Sequence, residues 1–201
     1  SISNNAASRY PPVALPVSED TVYLTTADAD GAMVSMIQSN YRGFGSGIVI
    51  DSTGISMQNR GSGFVLTPGH PNVVAGSKRP FHTIIPGFVS RSDGSPAMAF
   101  GVMGGHMQHQ GHVQMVTRVF DHGENPQAAS DAPRWHVSPD YRVALETGTP
   151  PTTIKALEER GHDAVLVTDE GLFGGAQLIC RLKDGYCAAS DHRKEGMAAG
   201  F

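Results

Sequence analysis

An α+β domain is the fold class that this 201-residue sequence predicts. Three observations carry the prediction. Glycine is in surplus, short runs of β-branched and aromatic residues alternate with Asp-Gly or Gly-rich turns, and the helical stretches fall in the second half. The 24 glycines and 13 prolines exceed the roughly 12% that these two residues make up on average, yet stay short of low complexity. The surplus therefore reads as many tight turns between short strands.

Ser1–Asp20 is polar and then proline-rich (Pro11, Pro12, Pro16), without either periodicity, and reads as an extended arm or linker. Thr21–Ala27 and Ala32–Gln38 are strand-like across the turn Asp28-Ala29-Asp30-Gly31, which makes a hairpin. Gly43–Gly47, apolar Ile48–Ile50, a turn at Thr53-Gly54 and a short strand Ile55–Gln58 follow. Arg60–Pro80 reads as a long surface loop, and Phe81–Ser90 with Pro96–Met103 as a second hairpin over Asp93-Gly94. Gly104-Gly105 opens a helix in which Met107, Val113, Met115, Val116, Val119 and Phe120 recur, stopping near Gly123. Asn125–Ala132 is a short helix ended by Pro133, Tyr141–Glu146 a strand, and Pro151–Arg160 a helix closed by Gly161. Ala164–Thr168, Ala176–Leu182 and Tyr186–Ala189 are strands, the last two joined over Asp184-Gly185. Hairpins argue for antiparallel pairing, and helices grouped after strands for α+β layering.

Composition and charge remove several functions. With 15 Lys and Arg against 19 Asp and Glu the formal charge is −4, whereas binding to nucleic acid or to an anionic membrane surface draws on a basic excess. No run approaches the roughly 18 apolar residues of a membrane span. Two cysteines, Cys180 and Cys187, are too few for a disulfide-built fold or a Cys-only zinc site. An Asp184-Gly185 turn would set them one diagonal apart on the same face, where free thiols are the expectation.

His106, His109 and His112 stand at steps of three. Each step rotates the ring by about 60° away from the last, so the three do not converge on a metal, and a polar helix face is the expectation. The glycine clusters lack the phosphate-loop and dinucleotide patterns, and no serine sits in a nucleophile elbow. Gly104-Gly105 is more specific: a glycine pair between a strand and a helix N-terminus can present free N–H groups, with the helix dipole behind them, as an oxyanion hole requires.

The run Thr21-Val22-Tyr23-Leu24-Thr25-Thr26-Ala27-Asp28, followed by Asp30-Gly31, resembles the start of the small subunit of the gamma-glutamyltranspeptidase family, which belongs to the N-terminal nucleophile hydrolases. The likeness continues through Phe44-Gly45-Ser46-Gly47-Ile48, Gly54-Ile55, Lys78-Arg79-Pro80, Gly104-Gly105, Ala132-Pro133-Arg134, and Ala189-Ser190-Asp191 with Arg193. It spans Thr21 to Phe201 in family order.

The resemblance implies a precursor that cuts itself between Asp20 and Thr21. Residues 1–20 would end the large-subunit region, and 21–201 would form a small-subunit-like catalytic domain. Thr21 would then be the nucleophile. Its freed α-amine, with a pKa of about 7.7–8.0, would be the base that a threonine hydroxyl needs. Ser39 matches a hydroxyl residue that orients the nucleophile, and the N–H groups of Gly104 and Gly105 match the oxyanion hole. The implied substrate is a γ-glutamyl or related acyl amide, passed to water or an acceptor amine, with no cofactor and no metal.

Three positions depart from the family pattern. Ser62 and Gly63 replace an acidic pair whose second member binds the substrate ammonium. His82-Thr83 replaces a serine pair on the substrate carboxylate, and Arg60 adds a cation. Arg60, His82 and Thr83 are therefore the expected substrate-binding residues. A glutaryl-type acylase of the same family is the alternative activity, and an unprocessed homologue that only binds a partner is a further one.

The implied architecture is the αββα sandwich, of which this chain supplies the C-terminal, small-subunit portion. A large subunit from the same precursor, which contributes an arginine for the substrate carboxylate, is the expected partner. An exposed sheet edge could also pair two copies of this chain. The compartment, bacterial cytoplasm or periplasm, is left open because an earlier N-terminus is expected.

Overall fold

The computed structural model describes residues 20–201, Asp20 by its backbone alone. The arm expected over Ser1–Asp20 lies outside the described residues as far as residue 19.

Strands β1 (Asp20–Ala27) and β2 (Met33–Tyr41) form the first hairpin. Its turn is held by Gly31 N–H on the Asp28 carbonyl (3.1 Å) and Ala32 N–H on Asp28 Oδ1 (2.9 Å). Alternation gives the hairpin two faces. Thr21, Tyr23 and Thr25 turn inward beside Ser39, Ile37 and Ser35, while Val22, Leu24, Val34 and Met36 are exposed on the other side. After the short pair β3 (Val49–Ile50) and β4 (Ile55–Ser56) come β5 (Gly87–Ser90) and β6 (Pro96–Met103). Helices α1 (Met107–Val116), which runs on into a π-turn over Thr117–Asp121, and α2 (Pro126–Asp131) follow. Next are β7 (Trp135–Val137), β8 (Val143–Glu146), α3 (Pro151–Glu158), β9 (Ala164–Val167), β10 (Gly175–Leu182) and β11 (Gly185–Ser190).

The main sheet has the order β11-β10-β6-β5 and is antiparallel throughout. Strand β6 is buried along nearly its whole length because both of its faces are covered. On one face Tyr23 lies over Gly101, where a Cβ would come within 2.4 Å of the ring. On the other, Phe100 meets the His112 ring at 4.7 Å, and Val102 fits against Gly111 of α1. Met98, Phe100, Val102, Met115, Leu178 and Ala189 close this core. The layers are thus helix, four-stranded sheet and hairpin, three of the four in an αββα sandwich, and the hairpin's outer apolar face lies open among the described residues.

Several elements differ from the sequence expectation. Only Gly87–Ser90 of the Phe81–Ser90 segment pairs as a strand; before it, Phe81, Ile84 and Ile85 give their N–H groups to the side chains of Asn72, His82 and Gln108. The Arg60–Pro80 loop contains a 3₁₀ turn at Arg60–Gly63 and a bridge between Val65 and Val73. Strand β7 was not expected, and β8 runs parallel to β9 across α3, so pairing is not wholly antiparallel. The last hairpin turns at Lys183-Asp184, because Leu182 pairs with Gly185. This one-residue shift sets Cys180 directly opposite Cys187 rather than diagonal to it. Both thiols are free, and burial pushes that of Cys180 up to about 11.

The motifs around Arg134 and Asp191 meet in a buried ionic cluster. Arg134 Nη2 donates to Asp191 Oδ2, which also accepts the Ala176 N–H at 2.6 Å. Arg193 donates to Asp191 Oδ1 at 3.1 Å and to Glu146 at 2.6 and 2.7 Å. The partners of Asp191 outweigh its burial, whereas burial still prevails at Arg134, whose Nε has no hydrogen-bond partner among the described residues. The cluster ties the C-terminal tail to α2, β8 and β10.

Candidate active site

Thr21 and Ser39 are cross-strand partners on the inward face at the open end of the β1–β2 hairpin. One step earlier the register slips, since Asp20 faces Tyr41 and Asn40 is left as the extra residue of a bulge. Tyr41 holds a left-handed backbone at φ +80, a conformation costing about 1–3 kcal/mol for a non-glycine residue. Its N–H donates to Ser39 Oγ at 2.8 Å. The local twist is therefore concentrated beside the Asp20–Thr21 peptide bond.

Thr21, Ser39, Asn40, Ser56, Gly104 and Lys194 all line one cleft of about 950 Å³. Its other described walls are apolar or neutral, and Lys194 is the single charged side chain among them. Gly104 has φ +121 and Gly105 φ +52, and a Cβ on Gly104 would stand 2.8 Å from the Gly174 Cα. Only glycine fits that backbone and that approach. The carbonyls of Gly104 and Gly105 accept the first N–H groups of α1, from Met107 at 2.9 Å and Gln108 at 3.1 Å. Neither glycine's own N–H donates to another described residue. Gly104 forms part of the cleft wall, and Gly105 is buried behind it.

The three expected substrate-binding residues do not line this cleft. Arg60 is buried over the Tyr41 ring (5.2 Å) and donates to Thr83 Oγ1 at 3.1 Å. Thr83 is likewise buried, so the pair engages each other. His82 is exposed; partial burial, and then the Arg60 charge, lower its pKa. His106, at the start of α1, and His112 within it do not form one polar face. His106 stacks on Phe81 at 5.7 Å, and His112 packs on Phe100 and accepts the Val102 N–H at 3.3 Å. Burial lowers the pKa of both, that of His112 to about 4. Among the described residues no group of three His, Cys, Asp or Glu side chains could hold a metal, and no helix is long and apolar enough to cross a membrane.

Lys194 carried no sequence signal of its own beyond being a lysine in a polar tail. Gly175, against which its stem packs, was the trace available.

Known proteins of similar sequence bear on this site. A sequence model of the family described as Gamma-glutamyltranspeptidase matches residues 1–201. The glutathione hydrolase-like YwrD proenzyme of Bacillus subtilis is 38% identical over 92% of this chain and 37% of its own length. The oxamate amidohydrolase proenzyme of Klebsiella pneumoniae is 38% identical over 90% of this chain and 36% of its own. The crystal structure of a cephalosporin acylase from Bacillus halodurans superposes with a TM-score of 0.86 at 47% identity, covering 100% of this chain and 36% of that one. The chain thus spans a little over a third of the length of each of these relatives. A gamma-glutamyltranspeptidase chain from Pseudomonas nitroreducens, matched over 98% of its own length with a TM-score of 0.75, shares the fold at 23% identity. The layers described above are those of an N-terminal nucleophile hydrolase, and the chain belongs to the gamma-glutamyltranspeptidase family.

Proposed function

We propose that this chain carries the nucleophile of a self-processing enzyme that cleaves acyl amides, as hydrolase or acyltransferase. The observation that carries this reading is the shared cleft of Thr21, Ser39 and Gly104. Scission of the Asp20–Thr21 bond would leave 21–201 as the catalytic domain. It would also place a neutral amine beside the Thr21 hydroxyl. Thr21 Oγ then attacks the substrate carbonyl and gives its proton to that amine, while the carbonyl electrons move to oxygen opposite the Gly104 and Gly105 N–H groups. Collapse breaks the C–N bond, and the ammonium returns its proton to the departing amine. Water or an acceptor amine repeats the sequence on the acyl ester. Ser39 holds the geometry of the open end through its bond from Tyr41 N–H. A large subunit from the same precursor would cover the exposed Val22, Leu24, Val34 and Met36. Arg60 and Thr83 act from behind the wall, Arg60 by lying over Tyr41 and Thr83 by holding Arg60.

The test is the intact mass of a precursor that includes this chain, measured with its activity on acyl anilides. A product beginning at Thr21 that turns over an anilide is expected. A permanently uncut chain that still holds its large-subunit region would favour the binding-only alternative. Gly104→Ala should lower kcat by about a hundredfold, because its Cβ would push the loop off Gly174 and misplace the donor. Unchanged kcat would remove Gly104 from the oxyanion hole.

A second reading concerns the acyl group. The described walls of the cleft hold no carboxylate, and Ser62 and Gly63 offer none for a substrate ammonium. This favours a glutaryl-type acyl group over γ-glutamyl. Glutaryl p-nitroanilide should be the better substrate by kcat/KM, and a strong preference for the γ-glutamyl compound would reverse the assignment.

A further inference from the structure

Cys180 and Cys187 are cross-strand partners in the β10–β11 ladder. Directly opposed residues of an antiparallel pair send their side chains to the same face, with Cα atoms about 4.5 or 5.5 Å apart. Both separations fall within the roughly 4.4–6.8 Å that a disulfide spans. Leu182 and Gly185 close the two-residue turn just beyond the pair, and that turn fixes the register. On its other side Cys180 pairs with Met98 of β6, and both belong to the core. Strand β11 is an edge of the main sheet, so Cys187 is half-buried where Cys180 is buried. The two thiols therefore differ in access to solvent but lie within reach of each other. Burial, and then the neighbouring Cys187, push the Cys180 thiol up, which leaves the outer sulfur to meet a reagent first. To bond, the Cβ atoms of such a pair, about 4.5–5.5 Å apart, must draw in towards about 3.8 Å. That strain favours a disulfide that can be reduced again.

We infer that Cys180 and Cys187 form a redox-active dithiol that takes a small-molecule disulfide as its oxidant. The Cys187 thiolate attacks one sulfur of that disulfide and becomes a mixed disulfide, while the other half leaves as a thiolate. Cys180 then gives up its proton, attacks Cys187 Sγ and expels the second half. One disulfide bond forms in the protein and one breaks in the oxidant. Two electrons and the two thiol protons end on the two small-molecule thiols released. The product ties the edge strand β11 to β10. None of this draws on the acyl-amide reading above, and neither cysteine lines the Thr21 cleft.

The experiment treats the assembled, folded protein with oxidised glutathione, blocks the remaining thiols with N-ethylmaleimide, and digests it without reduction. Trypsin cuts after Arg181 and Lys183, between the two cysteines, so a disulfide holds the Cys180 and Cys187 peptides together. Mass spectrometry should find that linked pair, and an excess of reduced glutathione added before blocking should return both peptides unlinked. Cys180→Ser should stop at a glutathione adduct on Cys187, because the resolving sulfur is gone. Cys187→Ser should gain no adduct in the same time, because the remaining thiol is buried. A wild-type protein that keeps both thiols, that retains a glutathione adduct on Cys187, or that joins two copies through Cys187 overturns the proposal. None of these readouts depends on anilide turnover, so failure here leaves the enzyme reading standing, and failure of that reading leaves this one to be judged by the linked peptides.

Discussion

Thr21→Ala leaves the precursor uncut and lowers anilide hydrolysis by a factor of about 10³ or more. Two losses are combined in that number. Without the hydroxyl the Asp20–Thr21 bond has no internal nucleophile, and without scission there is no free amine to act as base. They separate if the large-subunit region and residues 21–201 are produced as two chains, so that alanine itself is the new N-terminus. The amine is then present and only Oγ is missing, and turnover should still be lost. Thr21→Ser, which keeps both groups, should process and turn over. In the wild-type protein the rate should rise with pH through about 7.7–8.0, as the α-ammonium gives up its proton. A two-chain alanine variant that matches the wild type would remove Thr21 from the chemistry.

The site was legible where local sequence sets geometry. Thr21 and Ser39 face each other because the Asp28–Gly31 turn fixes the hairpin register, and the glycine pair marks a backbone that only glycine adopts. Pro96–Met103 was readable because the run is apolar with a turn before it and glycines after it. Legibility ended where partners come from far along the chain. Trp135–Val137 is three residues long, follows Pro133, and is a strand only because β8 supplies its ladder. The Lys183-Asp184 turn was hidden by Asp184-Gly185, a dipeptide that ordinarily marks the centre of a turn; here Gly185, at φ +142, already belongs to the strand. Arg60 was expected to bind substrate and is buried against Tyr41 and Thr83. Nothing periodic announces that Arg134, Glu146, Asp191 and Arg193 will share one buried volume.

That volume yields the second large effect. Asp191→Asn, close in shape, should destabilise the assembled protein by about 3–5 kcal/mol. It should be read as a fall in Tm. Burial by itself would raise the Asp191 pKa. The Arg134 guanidinium, the N–H groups of Ala176 and Arg193, and the Arg134 hydrogen bond outweigh it and hold the carboxyl below its ordinary value. A depressed folded pKa fixes the sign of the linkage: the stabilisation is complete above the unfolded value of about 3.9 and is lost as pH falls through the lower, folded value. Asparagine has no such titration and leaves Arg134 and Arg193 facing each other without the intervening charge. The gap between wild type and variant should therefore be widest near neutral pH and narrow in acid. The same carboxylate receives the Arg193 N–H, and its residue's carbonyl receives the Lys194 N–H, so loosening it frees the segment that carries the cleft's cation. Equal Tm values at pH 7 would show that the cluster does not hold the tail.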